Sequence, residues 1–303
     1  MPNSLSKKIL STIAYYDILD YPLTVFETWK YLIGEQQNKK INLREIILEL
    51  ETDEVKKNIE SYRGYYFLRG RKDSVKQRIE RNKISEGKYK IARRAVWFLR
   101  FAPFVRMILV TGRLAMKNVD KKSDIDFLVC LESGHIFIGR TFVTLITHLL
   151  GKRRYGDKIT NRICLNYFIT ASSLEIETQD LFASSEYFFA VPIFGFEYFQ
   201  KFRQANGWIK KYHENYIPAE IANLKVIQDD FFSRLIRKVG ELIFGFNFLE
   251  QKLKTWQTER IMNDPRTKKS GSLIIADDNS LVFLPDPQGP KVFEAFKKKM
   301  KLC

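Results

Sequence analysis

The stretch from Met107 to Val129, MILVTGRLAMKNVDKKSDIDFLV, constrains the fold of this chain more than any other. An apolar run over Met107 to Val110 predicts a strand, Thr111-Gly112 a turn, and Arg113 to Asn118 a short helix. After a charged loop, Asp124 to Val129 predicts a second strand. Side chains of a strand alternate between its faces, so Asp124 and Asp126 share one face while Ile125 and Phe127 point towards a core. Two carboxylates side by side repel unless a cation neutralises them, and divalent ions bridged between carboxylates and substrate phosphates are the usual partners. The turn supplies the complementary half: a glycine lets a phosphate approach the backbone, and free N–H groups at a helix start attract it. The pattern describes a site for a nucleoside triphosphate.

A chain of 303 residues, 45% hydrophobic and 28% charged, suits a soluble globular protein of two or three domains. With 51 Lys and Arg against 35 Asp and Glu, the net charge of +16 either attracts polyanions, whether nucleic acid, nucleotides or an anionic membrane face, or serves solubility. Cys130, Cys164 and Cys303 form no metal-ligand pattern, and two of them lie in apolar strands, so a reducing cytoplasm is the expected compartment. No apolar run is long enough to span a bilayer, and no membrane partner is expected. Lys7-Lys8 before ILSTIAYYDIL has the start of a signal peptide, but Asp17 and Asp20 interrupt it, so the segment reads as a helix of the folded protein. Neither a Walker-type phosphate loop nor a His-Glu-x-x-His motif occurs, and His135, His148 and His213 are scattered, which excludes a histidine triad or zinc site.

Residues 1–68 are expected to form one domain. Leu5, Ile9, Leu10 and Ile13 recur at helical spacing, Thr24-x-x-Glu27 opens a second helix through Ile33, and Asn42-x-x-Glu45 opens a third towards Leu50. NIESYRGYYFL then predicts a hairpin turning at Arg63-Gly64. Helices followed by a hairpin is the order of a winged helix, although INLREIILELE carries more acid than base. That balance favours a structural or protein-contacting role over DNA binding. Residues 69–104 are a basic helical connector, either a phosphate-binding face for nucleic acid or an acceptor's charged end, or simply a solvated helix face. Residues 105–170 hold the Asp-x-Asp core, with a helix over Ile136–Leu150 and a strand over Arg162–Thr170. Residues 171–303 are expected to be helical and aromatic-rich, with Asn206, Trp208 and Tyr212 the most plausible cleft contributors. A terminal hairpin turns on Asp277-Asp278-Asn279, with no metal role for that pair, and a basic helix closes the chain over Pro290–Lys301.

A strand, a glycine turn, a short helix, a loop and a strand carrying Asp-x-Asp resemble the DNA polymerase β-like nucleotidyltransferase superfamily. TGRLAM…SDIDFLV is similar to its bacterial minimal and antibiotic-modifying branches. YYDILDYPLT…W followed by GYYFLRGR is similar to the N-terminal region that accompanies this domain in one group of bacterial proteins. The resemblance implies an α+β protein: a winged-helix-like domain, a mixed-sheet nucleotidyltransferase core and a helical C-terminal region with a hairpin. It implies that Asp124 and Asp126 hold one or two magnesium ions, for which manganese can substitute, while Thr111, Gly112, Arg113 and Ser123 face the phosphates. Arg113 stands where the family usually has serine. The family's third carboxylate, the base for the acceptor, falls at Asn166, which cannot take a proton. Asp157 and the substrate's own phosphate are the substitutes. The implied activity is transfer of a nucleoside monophosphate from a triphosphate to an unidentified acceptor hydroxyl. The alternatives are a weak or inactive protein of the same fold that regulates by binding nucleic acid or protein, and an antitoxin-like partner.

Overall fold

A computed structural model describes residues 4–35, 41–216 and 226–301, an α+β chain with twelve α-helices and two sheets among them. Cys303 and residues 217–225 of the expected helical region lie outside the described residues. The N-terminal elements are α1 (Ser4–Ile18), β1 (Leu23–Thr24), α2 (Val25–Lys30), α3 (Leu43–Leu50), α4 (Asp53–Lys56), β2 (Ile59–Tyr62) and β3 (Tyr65–Leu68). Both capping boxes close. Thr24 Oγ1 accepts from the Glu27 N–H at 3.2 Å while the Glu27 carboxylate accepts from the Thr24 N–H at 2.9 Å, and Asn42 and Glu45 do the same. Arg63 (φ 51°) and Gly64 (φ 77°) both occupy the left-handed region, which suits a two-residue hairpin turn. Three details differ from expectation: α2 ends at Lys30 rather than Ile33, the short α4 intervenes between α3 and the hairpin, and the short β1 joins the hairpin in the order β1-β3-β2.

The basic connector is one helix, α5 (Asp73–Leu99), and part of its charge is internal. Arg78 lies 3.3 Å from the centre of the Tyr21 ring, donates to Glu27 at 2.6 Å and caps the Pro22 carbonyl at 2.8 Å. Buried Arg81 donates to Asn118 Oδ1, and buried Lys88 reaches the carbonyls of Lys121 and Ser123 and Asn161 Oδ1. The polyanion face expected of residues 69–100 therefore loses these three cations, which fasten the N-terminal elements and the Asp-bearing loop to α5. Lys83, Lys90 and Arg94 remain exposed.

Beyond α5 the chain runs β4 (Val105–Val110), α6 (Gly112–Ala115), β5 (Ile125–Leu131), α7 (Ile136–Leu149), β6 (Ile163–Thr170), α8 (Leu181–Phe188), β7 (Val191–Phe194) and α9 (Phe196–Ala205). It continues through α10 (Phe231–Phe244), α11 (Asn247–Met262), β8 (Leu273–Ala276), β9 (Ser280–Leu284) and α12 (Gln288–Met300). Six strands form one mixed sheet in the order β7-β4-β5-β6-β9-β8, in which only β5 and β6 are parallel, α7 providing their crossover. The terminal hairpin extends this sheet beside β6. Asp277 accepts from the N–H groups of Asn279 and Ser280 and so closes the hairpin turn. β7 was not expected within the aromatic-rich stretch; its VPIF run pairs with the otherwise open edge of β4.

One sheet face, including Ile108, Val110, Ile125, Phe127 and Val129, packs with Ala92, Val96 and Leu99 of α5 and Phe137 and Val143 of α7. The other, including Leu109, Leu128, Cys130 and Ile169, packs against Ala183 and Tyr187 of α8 and Phe199 and Phe202 of α9. A third cluster joins Tyr15, Tyr16, Tyr21 and Tyr31 to Phe188, Phe189 and Val292, so packing crosses from the N-terminal elements into α8 and α12. Asn206, Trp208 and Tyr212 are not cleft residues. Asn206 is fully buried, accepts from the Ile176 N–H and the Trp208 indole, and donates to the carbonyls of Leu174 and Phe202. Trp208 is buried, and the Tyr212 hydroxyl donates to the Gln179 carbonyl. Among the described residues no helix is long and apolar enough to cross a membrane.

Candidate functional site

The site forms where β4 ends and β5 begins. β5 starts at Ile125, one residue later than expected, because Ile125 is the first residue in ladder register with β6, opposite Ile163. Asp124 sits just before the strand and Asp126 within it. Their carboxylates converge with the Cys164 thiol, one ligand atom from each lying within 4.8 Å of the others. Cys164 belongs there because Asp126 and Cys164 are register partners across the parallel β5–β6 pair. The cysteine is thus part of the cluster rather than an inert residue of an apolar strand.

Beyond Cys164 the register slips: Phe127 faces Leu165, and Leu128 faces Tyr167, leaving Asn166 as the extra residue of a β-bulge. The bulge lets Asn166 and Tyr167 both lie on the acid-bearing face. Asn166 faces the Asp pair as expected, but its Nδ2 donates to Asp126 Oδ1 at 3.3 Å. In that orientation it positions a carboxylate instead of supplying a third one.

Glu186, which the sequence reading missed, is the third acid. It projects from α8, its carboxylate lies close enough to the Gly112 backbone N–H to be stabilised by it, and it raises the pKa of Asp126 electrostatically. The signal available in the sequence was its isolation: from Leu181 to Phe196 it is the one charged residue in an apolar and aromatic run. Burial pushes the Glu186 carboxyl up to about 7, the nearby Gly112 N–H opposing. Burial, then the negative charges of Asp124 and Glu186, push Asp126 up to about 8. Burial and the same two aspartates push the Cys164 thiol up to about 12, which keeps it protonated and a poor ligand for a hard cation.

Gly112 is required by this geometry. Its φ is +60°, and a Cβ there would stand 2.8 Å from Asp126 Oδ2. Arg154, from the loop before β6, donates to Asp124 Oδ2 at 2.5 Å and to Cys164 Sγ at 3.5 Å, so a guanidinium neutralises one acid of the cluster. Buried Lys88 holds the Ser123 carbonyl at 2.7 Å, which fixes the loop that delivers Asp124. Ser123 is occupied in that loop: its N–H donates to Asp120 Oδ1 and its Oγ accepts from the Asp120 N–H. Buried Thr111 continues the ladder through its N–H to the Asp126 carbonyl. Arg113 is exposed and acts electrostatically on Arg81 and Asp120, and Asp157 is exposed in its loop; neither belongs to the carboxylate cluster.

The donor set fits a hard divalent cation. It offers carboxylate oxygens from Asp124 and Asp126 in a partly exposed position, with a third carboxylate nearby and one guanidinium as counter-charge. Compared with models of protein families, with curated proteins and with solved structures, the chain matches none.

Proposed function

We propose that this chain is a metal-dependent nucleotidyltransferase that moves a nucleoside monophosphate from a triphosphate to an acceptor hydroxyl. The observation that carries the reading is the convergence of Asp124 and Asp126 beside a glycine that tolerates no side chain, with the Glu186 carboxylate near that glycine's N–H. Asp124 and Asp126 would hold magnesium or manganese, which when bound neutralises triphosphate oxygens. Asn166 orients Asp126 through its amide. Glu186, rather than Asn166 or Asp157, takes the acceptor's proton, a carboxylate raised to about 7 being suited to general-base work near neutrality. The chain's remaining task is positioning. Lys88 and Ser123 fix the loop before Asp124, and Arg154 is placed to exchange its carboxylate for a phosphate oxygen.

One observation favours the rival reading of a same-fold regulator without chemistry: Arg154 neutralises Asp124 with one of the chain's own groups, and the Glu186 carboxylate stands near the Gly112 N–H. Calorimetric titration with a non-hydrolysable triphosphate, with and without magnesium, separates the two. Magnesium-dependent binding lost in Asp126→Asn supports the enzyme reading, and pyrophosphate release on offering candidate acceptors completes it. Absence of triphosphate binding at any magnesium concentration removes it.

A further inference from the structure

The helix α10 is docked inside out. Its buried positions are Ser233 and Arg237, while Phe231, Phe232, Leu235 and Leu242 point to solvent, each at least 46% exposed. The inward side is polar by construction. Arg237 donates to the Arg100 carbonyl at 2.7 Å and to Asp229 at 2.5 Å, Ser233 donates to Asp229, and Gly240 gives room for Pro103. The apolar face continues past the helix into Phe246 and Phe248, 64% and 78% exposed. It also continues sideways through Phe101, whose ring contacts Phe232 and Trp97, so the end of α5 is part of the same surface. With about 150–250 Å² for a whole aromatic side chain, the exposed apolar area is on the order of 1,000 Å², beyond the few hundred Å² usual for a surface patch.

The charges along α10 and the start of α11 that the chain does not itself neutralise are of one sign, Asp229 and Asp230 at the head of α10 being paired with Arg237 and Arg100. From Phe231 to Thr258 the acids are engaged within the chain: Glu241 pairs with Arg106, and buried Glu250 accepts from the N–H groups of Phe137 and Ile138. Arg234, Lys238 and Lys252 are exposed and have no ion-pair partner among the described residues. A symmetric pairing of two copies would bring these cations together, a nucleic-acid duplex would leave the phenylalanines in water, and bases of a single strand would stack on the rings but leave Leu235, Val239 and Leu242 uncovered. An anionic lipid surface satisfies both the apolar face and its cationic rim. From this geometry we infer that α10, with Phe246 and Phe248, lies on an anionic membrane surface and holds the chain there peripherally. The absence of a spanning segment, from which the sequence reading expected no membrane partner, does not bear on binding of this kind.

The test is co-sedimentation of the full chain with vesicles of phosphatidylcholine alone and with phosphatidylserine added, alongside sedimentation velocity without lipid. The wild type is expected to bind the serine-containing vesicles in a salt-sensitive manner and to be monomeric in their absence. Arg234→Gln with Lys238→Gln should weaken binding by roughly fivefold for each charge removed. Phe231→Gln, Leu242→Gln and Phe248→Gln together, all at exposed positions, should lower it by roughly 100-fold or more while leaving the thermal transition in place. Failure of the wild type to bind either vesicle overturns the inference. So does a dimer that the triple variant dissociates and that lipid does not displace. Neither result touches the reading of the carboxylate site, which triphosphate titration tests separately.

Discussion

Asp126 is where the tension of the site is concentrated. A carboxyl raised to about 8 in the fold from an ordinary value near 4 contributes stability that is present below the ordinary value and lost as pH rises through about 8. Asp126→Asn removes that charge and also, under the proposed function, a metal ligand. The variant is therefore expected to melt no lower than wild type at pH 8 and to lack the magnesium-induced rise in melting temperature that the proposed function predicts for the wild type. A scan with and without the ion checks both, and a magnesium-induced rise that survives would remove Asp126 from the cation site. Glu186→Gln makes a second test: triphosphate affinity should change little while any turnover falls by about 10²- to 10⁴-fold, the usual worth of general-base assistance. An equal loss of both would make Glu186 a binding residue. The aspartate pair and the glycine turn were legible because strand alternation and a positive-φ turn are local rules, whereas the facing asparagine was located through the family resemblance. Glu186, Arg154 and Cys164 were not, because each reaches the site through a long-range choice: the docking of α8, the path of a loop, the register of β5 against β6.

At the scale of elements, capping chemistry and alternation placed both boxed helices, the two hairpins and strands β4, β5 and β6 within a few residues. β7 escaped because a four-residue apolar run inside an aromatic stretch becomes a strand only when a neighbour offers an open edge. α5 teaches the converse. Its run of cations looks like a solvated or phosphate-binding face, yet Arg78 is buried against Tyr21 and ion-paired with Glu27. Removing one partner of such a pair leaves the other uncompensated, so Arg78→Ala should cost about 3–5 kcal/mol in urea unfolding. Adding Glu27→Gln to that background should cost much less than it does alone, because the two share one interaction. Additive losses would mean that the contact contributes no coupling and that the ring stack alone holds the arginine. Salt-dependent binding to nucleic acid, if α5 supports it, belongs to exposed cations such as Lys76, Lys83, Lys90 and Arg94, whose neutralisation leaves this packing intact.

Across the whole molecule the N-terminal elements are tied to the rest by a short segment that no sequence pattern singles out. The Glu214 N–H donates to the Leu32 carbonyl, Lys8 pairs with Glu214 at 2.5 Å, and Asn215 donates to the Trp29 carbonyl. Between them His213, fully buried beside Phe188, places Nδ1 3.4 Å from the Tyr31 carbonyl and Nε2 3.3 Å from the Ser184 hydroxyl. Burial pushes its pKa down to about 4, against the opposing pull of that carbonyl. A histidine depressed in the fold contributes stability that is complete above its unfolded value near 6.5 and is lost as pH falls towards about 4, amounting to about 3 kcal/mol. Asp126 and Glu186, raised in the fold, move the other way over the same interval and become less costly as pH falls. The net slope of stability with pH therefore mixes opposed contributions, and the difference between wild type and His213→Gln isolates one of them. That difference should favour the wild type at pH 7.5 and shrink by about 3 kcal/mol by pH 4, read from urea midpoints. If it stays constant across the interval, His213 is not titrating with the fold and the tie between the N-terminal elements and α8 does not depend on its neutral form.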